Sequence, residues 1–304
     1  MEKTILKTKQ LSKSYIGRMA VQDINLTIKK GEIYGFIGEN GAGKTTLLRL
    51  ITSLILPTSG ELELFGSSEM KELQQARTRI GSMIETPAFF PKMTARENLE
   101  YYRIQRGLAN ENEIERVLQL VNLSDTGKKK FHQFSLGMKQ RLGLALAIMG
   151  NPEFLILDEP INGLDPTGMI EFRNLIKQLN QEFQTTILIS SHILSELAHI
   201  AMRYGIIHQG KMLREFSQEE LAEETRGFIS IKVNDAQRAG SILRSVLDIT
   251  NFEAVSKDEI HLFTFFEDPS IIIEALSSNG IKVYSSNEVK INLEDYFVKV
   301  INGA

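Results

Sequence analysis

The run Gly38-Glu39-Asn40-Gly41-Ala42-Gly43-Lys44-Thr45-Thr46 constrains this chain more than any other. It follows an apolar stretch, Ile33 to Ile37, that reads as a buried strand. It precedes Leu47 to Ile51, whose apolar spacing predicts a helix from Thr45. A strand that turns through glycines straight into a helix belongs to wound α/β sheets, in which helices alternate with mostly parallel strands. Strand-like runs at Ile5 to Thr8, Leu155 to Asp158, Thr186 to Ser190 and Tyr204 to His208 continue that alternation. So do helical stripes carried by Ile114, Val117, Leu118 and Val121, and by Phe172, Leu175, Ile176 and Leu179. Asp165 followed by Pro166 reads as a helix N-cap with proline at the first helical position.

The glycine loop has the spacing of a phosphate cradle. Gly38, Gly41 and Gly43 let backbone N–H groups close on phosphate oxygens at a helix N-terminus, with Asn40, Ala42 and Thr46 completing the cradle. Lys44 suits the β- and γ-phosphates of ATP, and the Thr45 hydroxyl suits Mg²⁺. The apolar strand Leu155 to Leu157 ends in two carboxylates, Asp158 for the metal and Glu159 to polarise an attacking water. His192, just after another strand, is read as a γ-phosphate donor because it follows the acidic strand; alone it would more often be structural. Tyr15 has two readings that stay open, stacking on adenine or packing against the sheet.

The 304 residues carry 35 basic and 38 acidic side chains, so no surplus of positive charge draws the chain to nucleic acid. It has no cysteine, which excludes disulfides and thiolate metal sites. The first residues lack a signal peptide's apolar core, and no apolar stretch reaches the ~20 residues that span a bilayer. Any membrane part is expected to be another polypeptide. After Met212 the pattern changes. Ser217 with Glu220 resembles a capping box opening a short linker helix. Beyond it come strand (Phe228 to Val233), helix (Ala236 to Leu247), strand (Phe252 to Ser256), strand (Glu259 to Phe265), helix (Pro269 to Ser278), strand (Ile281 to Tyr284) and a helix from Leu293. That βαββαβ order suggests a ferredoxin-like module.

Taken in order, these motifs resemble the nucleotide-binding subunit of ATP-binding-cassette (ABC) transporters, over about Lys3 to Arg214. Phe134 to Gln140 looks like the ABC signature and Asn162 to Asp165 like the D-loop. The resemblance implies a P-loop ABC nucleotide-binding domain over residues 1–215, with a mixed sheet and a helical subdomain at about 86–152. A linker helix at 216–227 and a C-terminal α+β module at 228–304 complete the expected organisation. It also implies that Ser135 and Gly137, beside a helix beginning near Met138, reach the γ-phosphate of ATP held by the other subunit. The signature departs from Leu-Ser-Gly-Gly-Gln but keeps the serine and the second glycine. Glu85 stands where the family carries the glutamine that couples Mg²⁺ to the membrane partner.

That swap, and the ending Leu293-Glu294-Asp295-Tyr296-Phe297, are similar to the bacitracin-resistance and lantibiotic-immunity ATPases. The implied protein is a peripheral ATPase at the cytoplasmic face of the membrane. Paired with itself or a like subunit, it powers a separate permease that expels a peptide antibiotic. Export of another cargo, or a soluble ABC ATPase without a permease, remains the alternative.

Overall fold

A computed structural model describes residues 3–85, 88–263, 270–289 and 291–303. The chain divides into two compact units, Met1–Gln218 with Val300–Ala304, and Glu219–Lys299.

The first unit is built on two sheets. Strands β1 (Thr4–Tyr15) and β2 (Arg18–Lys29) form a long antiparallel hairpin. Strand β3 (Ile33–Ile37), five buried residues, leads through the glycine loop into helix α1 (Lys44–Ile51). Strand β4 (Ser59–Leu64) pairs with β1, giving the antiparallel order β2-β1-β4. Sequence periodicity finds only the Ile5 to Thr8 part of this sheet. Then come α2 (Met70–Arg77), β5 (Ile80–Met83), α3 (Ala95–Gln105), α4 (Asn112–Leu120), α5 (Leu136–Ile148), β6 (Phe154–Asp158), α6 (Pro166–Phe183), β7 (Thr186–Ser191), α7 (Leu194–Leu197), β8 (Arg203–His208) and β9 (Lys211–Ser217).

The second sheet has the order β5-β6-β7-β3-β8-β9, parallel except for its edge strand β9. Strands buried on both faces need continuous apolar runs, and Ile33 to Ile37 and Phe154 to Leu157 supply them. Leu47, Leu48 and Ile51 of α1 join Ile24, Leu26 and Ile28 of β2 and Phe36, Phe154 and Ile156 of the parallel sheet in one apolar core. The phosphate loop is thereby anchored between both sheets.

Helices α3 to α5 form the helical insert; its expected start at residue 86 lies outside the described residues. Thr94 and Glu97 make a reciprocal capping box at the start of α3. At the start of α4 the buried Glu113 accepts from Arg116 (2.9 Å from Nε) and from the Gly150 N–H (2.8 Å). Burial pushes this carboxyl up, but the Arg116 guanidinium and the Gly150 amide outweigh it and hold it below the usual range. A lowered acid stabilises the fold above its unfolded titration and loses that contribution as pH falls through the folded one. Glu113→Ala is therefore expected to cost about 1–3 kcal/mol at neutral pH, with the difference from the parent shrinking on acidification. Urea unfolding at several pH values measures both.

The second unit begins within α8 (Gln218–Glu224) and continues with β10 (Phe228–Val233), α9 (Ala236–Leu247), β11 (Phe252–Ala254), β12 (Glu259–Leu262), α10 (Ser270–Ser278), β13 (Val283–Val289) and, as far as Lys299, α11 (Leu293–Asn302). Its antiparallel sheet has the order β11-β12-β10-β13, with the first strand between the last two to pair with it, as in a split βαβ module. Ile229, Ile231 and Val233 of β10 and Ile260 and Leu262 of β12 pack with Ala239, Leu243, Ile272 and Leu276 of α9 and α10. The last strand begins two residues after Ile281, itself a residue of this core, and runs to Val289. Residues 264, 265 and 269, placed by the sequence at the ends of a strand and a helix, lie outside the described residues.

Candidate active site

In an open parallel sheet, ligands bind beyond the carboxyl ends of the strands. The ends of β3, β6, β7 and β8 bring together the phosphate loop, Asp158 and Glu159, His192, and His208. Gly41 and Gly43 have φ +81° and +114°, left-handed values that favour glycine. A β-carbon on Gly43 would lie 2.6 Å from the Ala20 carbonyl oxygen, and one on Gly38 2.5 Å from that of Ile207. Asn40, Ala42, Lys44, Thr45 and Thr46 line a cleft of ≈ 800 Å³ with Gly41, Gly43 and Glu159.

Lys44 is 4 % exposed, and its ammonium lies 2.6 Å from the Gly38 carbonyl and 3.0 Å from Oε1 of Glu159. His192 Nδ1 lies 2.5 Å from the other Glu159 oxygen. Thr45 Oγ1 donates to Asp158 Oδ2 at 2.7 Å, joining two oxygen ligands of the kind Mg²⁺ prefers. Glu159 has φ +46°, a left-handed backbone that costs a non-glycine residue roughly 1–2 kcal/mol.

Three features escaped the sequence reading. Ser190 donates to Asp158 Oδ1 (2.6 Å) and accepts from the Glu159 N–H (3.0 Å). Ser191 donates to the buried Glu196 (2.5 Å) and accepts from the Ile193 N–H (3.0 Å), bracing the turn that carries His192. His208 pairs with Glu39 at 3.3 Å on the cleft wall. Position at a parallel-strand end was the available signal for Ser190 and His208.

Tyr15 lines the same cleft with its ring half exposed and Lys13 Nζ 5.1 Å from the ring centre. That position favours stacking over packing. Tyr15→Ala is expected to raise the Kd for ATP about 5- to 150-fold, the equivalent of 1–3 kcal/mol of base stacking, with Tyr15→Trp near the parent. Equal affinities in a fluorescent-nucleotide titration would return Tyr15 to a packing role.

Ser135, Gly137 and Met138 lie in a second cleft, of ≈ 450 Å³, with Gly163, Leu164 and Asp165. Helix α5 starts at Leu136, two residues before the expected Met138, because Ser135 caps it by accepting from the Met138 N–H (3.3 Å). Asp165 caps α6 by accepting from the Gly168 N–H (3.2 Å). Rings tie the approach to this cleft together, Phe131 packing on Phe89 and on Phe134 with centroids 5.0 and 5.9 Å apart. The two clefts share no lining residue. A phosphate cradle and a capping surface are thus offered in different places by one chain.

Glu85 is not brought to the first cleft. It follows β5 with φ +62°, stands exposed, and pairs with Arg49 of α1. Among the described residues no three acids or histidines converge as a metal centre. The carboxylate expected beside Mg²⁺ is engaged by a guanidinium instead.

The family model described as "ABC transporter" matches residues 21–162. The bacitracin transport ATP-binding protein of Bacillus licheniformis is 42 % identical over 99 % of this chain and 98 % of its own length. The lantibiotic transport ATP-binding protein of Streptococcus pyogenes is 41 % identical over 72 % of this chain and 95 % of its own. Among solved structures, a dimeric ATP-binding cassette in a post-hydrolysis state bound to ADP and Pi superposes with a TM-score of 0.64 at 28 % identity, covering 70 % of this chain and 99 % of that one.

Proposed function

We propose that this chain, which belongs to the family of ABC transporter ATP-binding proteins, is the paired ATPase subunit of an exporter that expels a peptide antibiotic of the bacitracin or lantibiotic type. The observation that carries the paired mechanism is the presence of both halves of an ATP site in two clefts with no residue in common. The cargo class rests on the similarity to the bacitracin protein, which extends through the C-terminal unit as well as the cassette.

In this reading the loop Gly38 to Thr46 holds the phosphates and Tyr15 the base, while Ser135 and Gly137 of the second subunit close over the γ-phosphate. Thr45 and Asp158 would hold Mg²⁺, which when bound neutralises charge on the β- and γ-phosphates. Lys44, now on Glu159 and two loop carbonyls, would turn to the phosphates and free the carboxylate. Glu159 then accepts the proton of the attacking water, with His192 holding the carboxylate and the γ-phosphate in register. Closure moves the permease into another state; hydrolysis removes the contact that distinguishes the closed pair from the open one, so the closed state is no longer held and the pair resets. Glu85, on its exposed loop, is proposed to couple nucleotide state to that permease through its pairing with Arg49.

No described helix is long and apolar enough to cross a membrane. We assign the membrane step to a separate permease chain, with this subunit at its cytoplasmic face. Affinity purification from detergent-solubilised native membranes is expected to recover a multi-span permease, and deletion of the gene to raise sensitivity to a peptide antibiotic. Recovery of ribosomal or DNA-associated partners alone would support the permease-free alternative. A permease with unchanged antibiotic sensitivity would keep the exporter and overturn the cargo.

A further inference from the structure

Strands β6 and β7 run side by side, with Asp158 in register with Ser190. Ser190 is fully buried, where a hydroxyl is unfavourable unless its hydrogen bonds are made. A serine hydroxyl has one proton to give and lone pairs to accept with. Here the proton goes to Asp158 Oδ1 (2.6 Å), and a lone pair takes the Glu159 N–H (3.0 Å).

We infer that Ser190 is a positioning residue for hydrolysis, one hydroxyl setting both acids of the site; the inference rests on the ATPase reading above. The first bond fixes the Asp158 carboxylate so that its other oxygen, Oδ2, faces Thr45 at 2.7 Å. The second holds the peptide that enters Glu159, whose backbone sits at φ +46°. That turn is what sends the Glu159 carboxylate to Lys44 (3.0 Å) and His192 (2.5 Å) rather than along the strand. Alanine at this position removes the donor to Asp158 and the acceptor for Glu159 together. Ser191, the next residue, has other partners, so the two serines divide the work: Ser190 sets the acids and Ser191 braces the turn to His192.

The test compares Ser190→Ala, Ser190→Thr and the parent, full length, in one ATPase assay, with thermal midpoints and ATP titrations made with and without Mg²⁺. In Ser190→Ala, ATP affinity without Mg²⁺ stays at the parent value, the gain in affinity from Mg²⁺ shrinks, and kcat falls about 10- to 100-fold. Ser190→Thr, which keeps the hydroxyl, retains most of the turnover. Parent kcat in Ser190→Ala overturns the inference. So does a loss accounted for by the unfolded fraction, or one equally large in Ser190→Thr. A parent that fails to hydrolyse ATP would instead overturn the proposed function.

Discussion

Glu159→Gln is expected to hold ATP at least as tightly as the parent and to hydrolyse it about 10²- to 10⁴-fold more slowly. The carboxylate lies between Lys44 Nζ, 3.0 Å away, and His192 Nδ1, 2.5 Å away. Glutamine keeps the shape and an oxygen that can accept from either neighbour, so the turn held by Ser190 is undisturbed. What it cannot do is take a proton from water. The charge it removes is negative and close to the phosphates, so the sign of the binding effect is favourable. With closure driven by ATP and hydrolysis blocked, the closed pair should accumulate, visible as an ATP-dependent shift from monomer to dimer in size-exclusion chromatography. Hydrolysis at the parent rate would remove Glu159 from the role of base. A slow variant without the dimer shift would keep the base and break the proposed link between ATP and closure.

The legible parts of this chain are those whose signal is short-range. The strand Ile33–Ile37, the glycine loop and the helix after it are contiguous, and the φ of +81° at Gly41 and +114° at Gly43 are local demands that glycine meets. The Asp165–Pro166 start of α6 is equally local. The antiparallel sheet is not, because β1 and β2 carry register shifts after Thr8 and positive φ at Gln10 and Asp23. These irregularities break the period-two alternation on which a strand is recognised. Leu6 to Thr8 pairs in regular register with Leu26 to Ile28, and the alternation of Ile24, Leu26 and Ile28 in β2 is a strand signal that the sequence reading passed over.

The site divides along the same line. Lys44, Thr45, Asp158 and Glu159 are named by their own neighbours in sequence. The hydroxyl that joins the two acids comes from Ser190, 32 residues after Asp158, and only the parallel pairing of β6 with β7 makes them adjacent. Glu85 is the opposite case. Its place in the order of motifs points to the metal, but a left-handed turn after β5 and the guanidinium of Arg49 take its carboxylate elsewhere. Motif order identifies which residues belong to a family's machinery; it does not say which atoms they touch.

Lys44→Ala and Gly137→Asp are each expected to lower steady-state turnover about 10²-fold or more, and a mixture of the two to recover activity that neither has alone. Lys44→Ala takes the ammonium from the first cleft, losing charge-assisted bonds to phosphate worth about 1.5–3 kcal/mol. Gly137→Asp acts in the second cleft. A β-carbon there meets only Leu164 Cδ2 at 3.6 Å, an ordinary contact. A carboxylate in the first turn of α5 also suits the helix dipole, by about 0.3–1 kcal/mol. The fold should therefore tolerate aspartate, and the damage should fall on a partner's γ-phosphate, which the new charge repels. In a mixed pair, one composite site carries both lesions and the other carries neither. Recovery on mixing, absent when either variant is assayed alone, requires that the phosphate loop and the signature of a working site come from different chains. If both halves came from one chain, every site in the mixture would keep a lesion and no ratio of the two variants would restore turnover. Mixing them over a range of ratios, with thermal midpoints measured for each variant, decides between these arrangements.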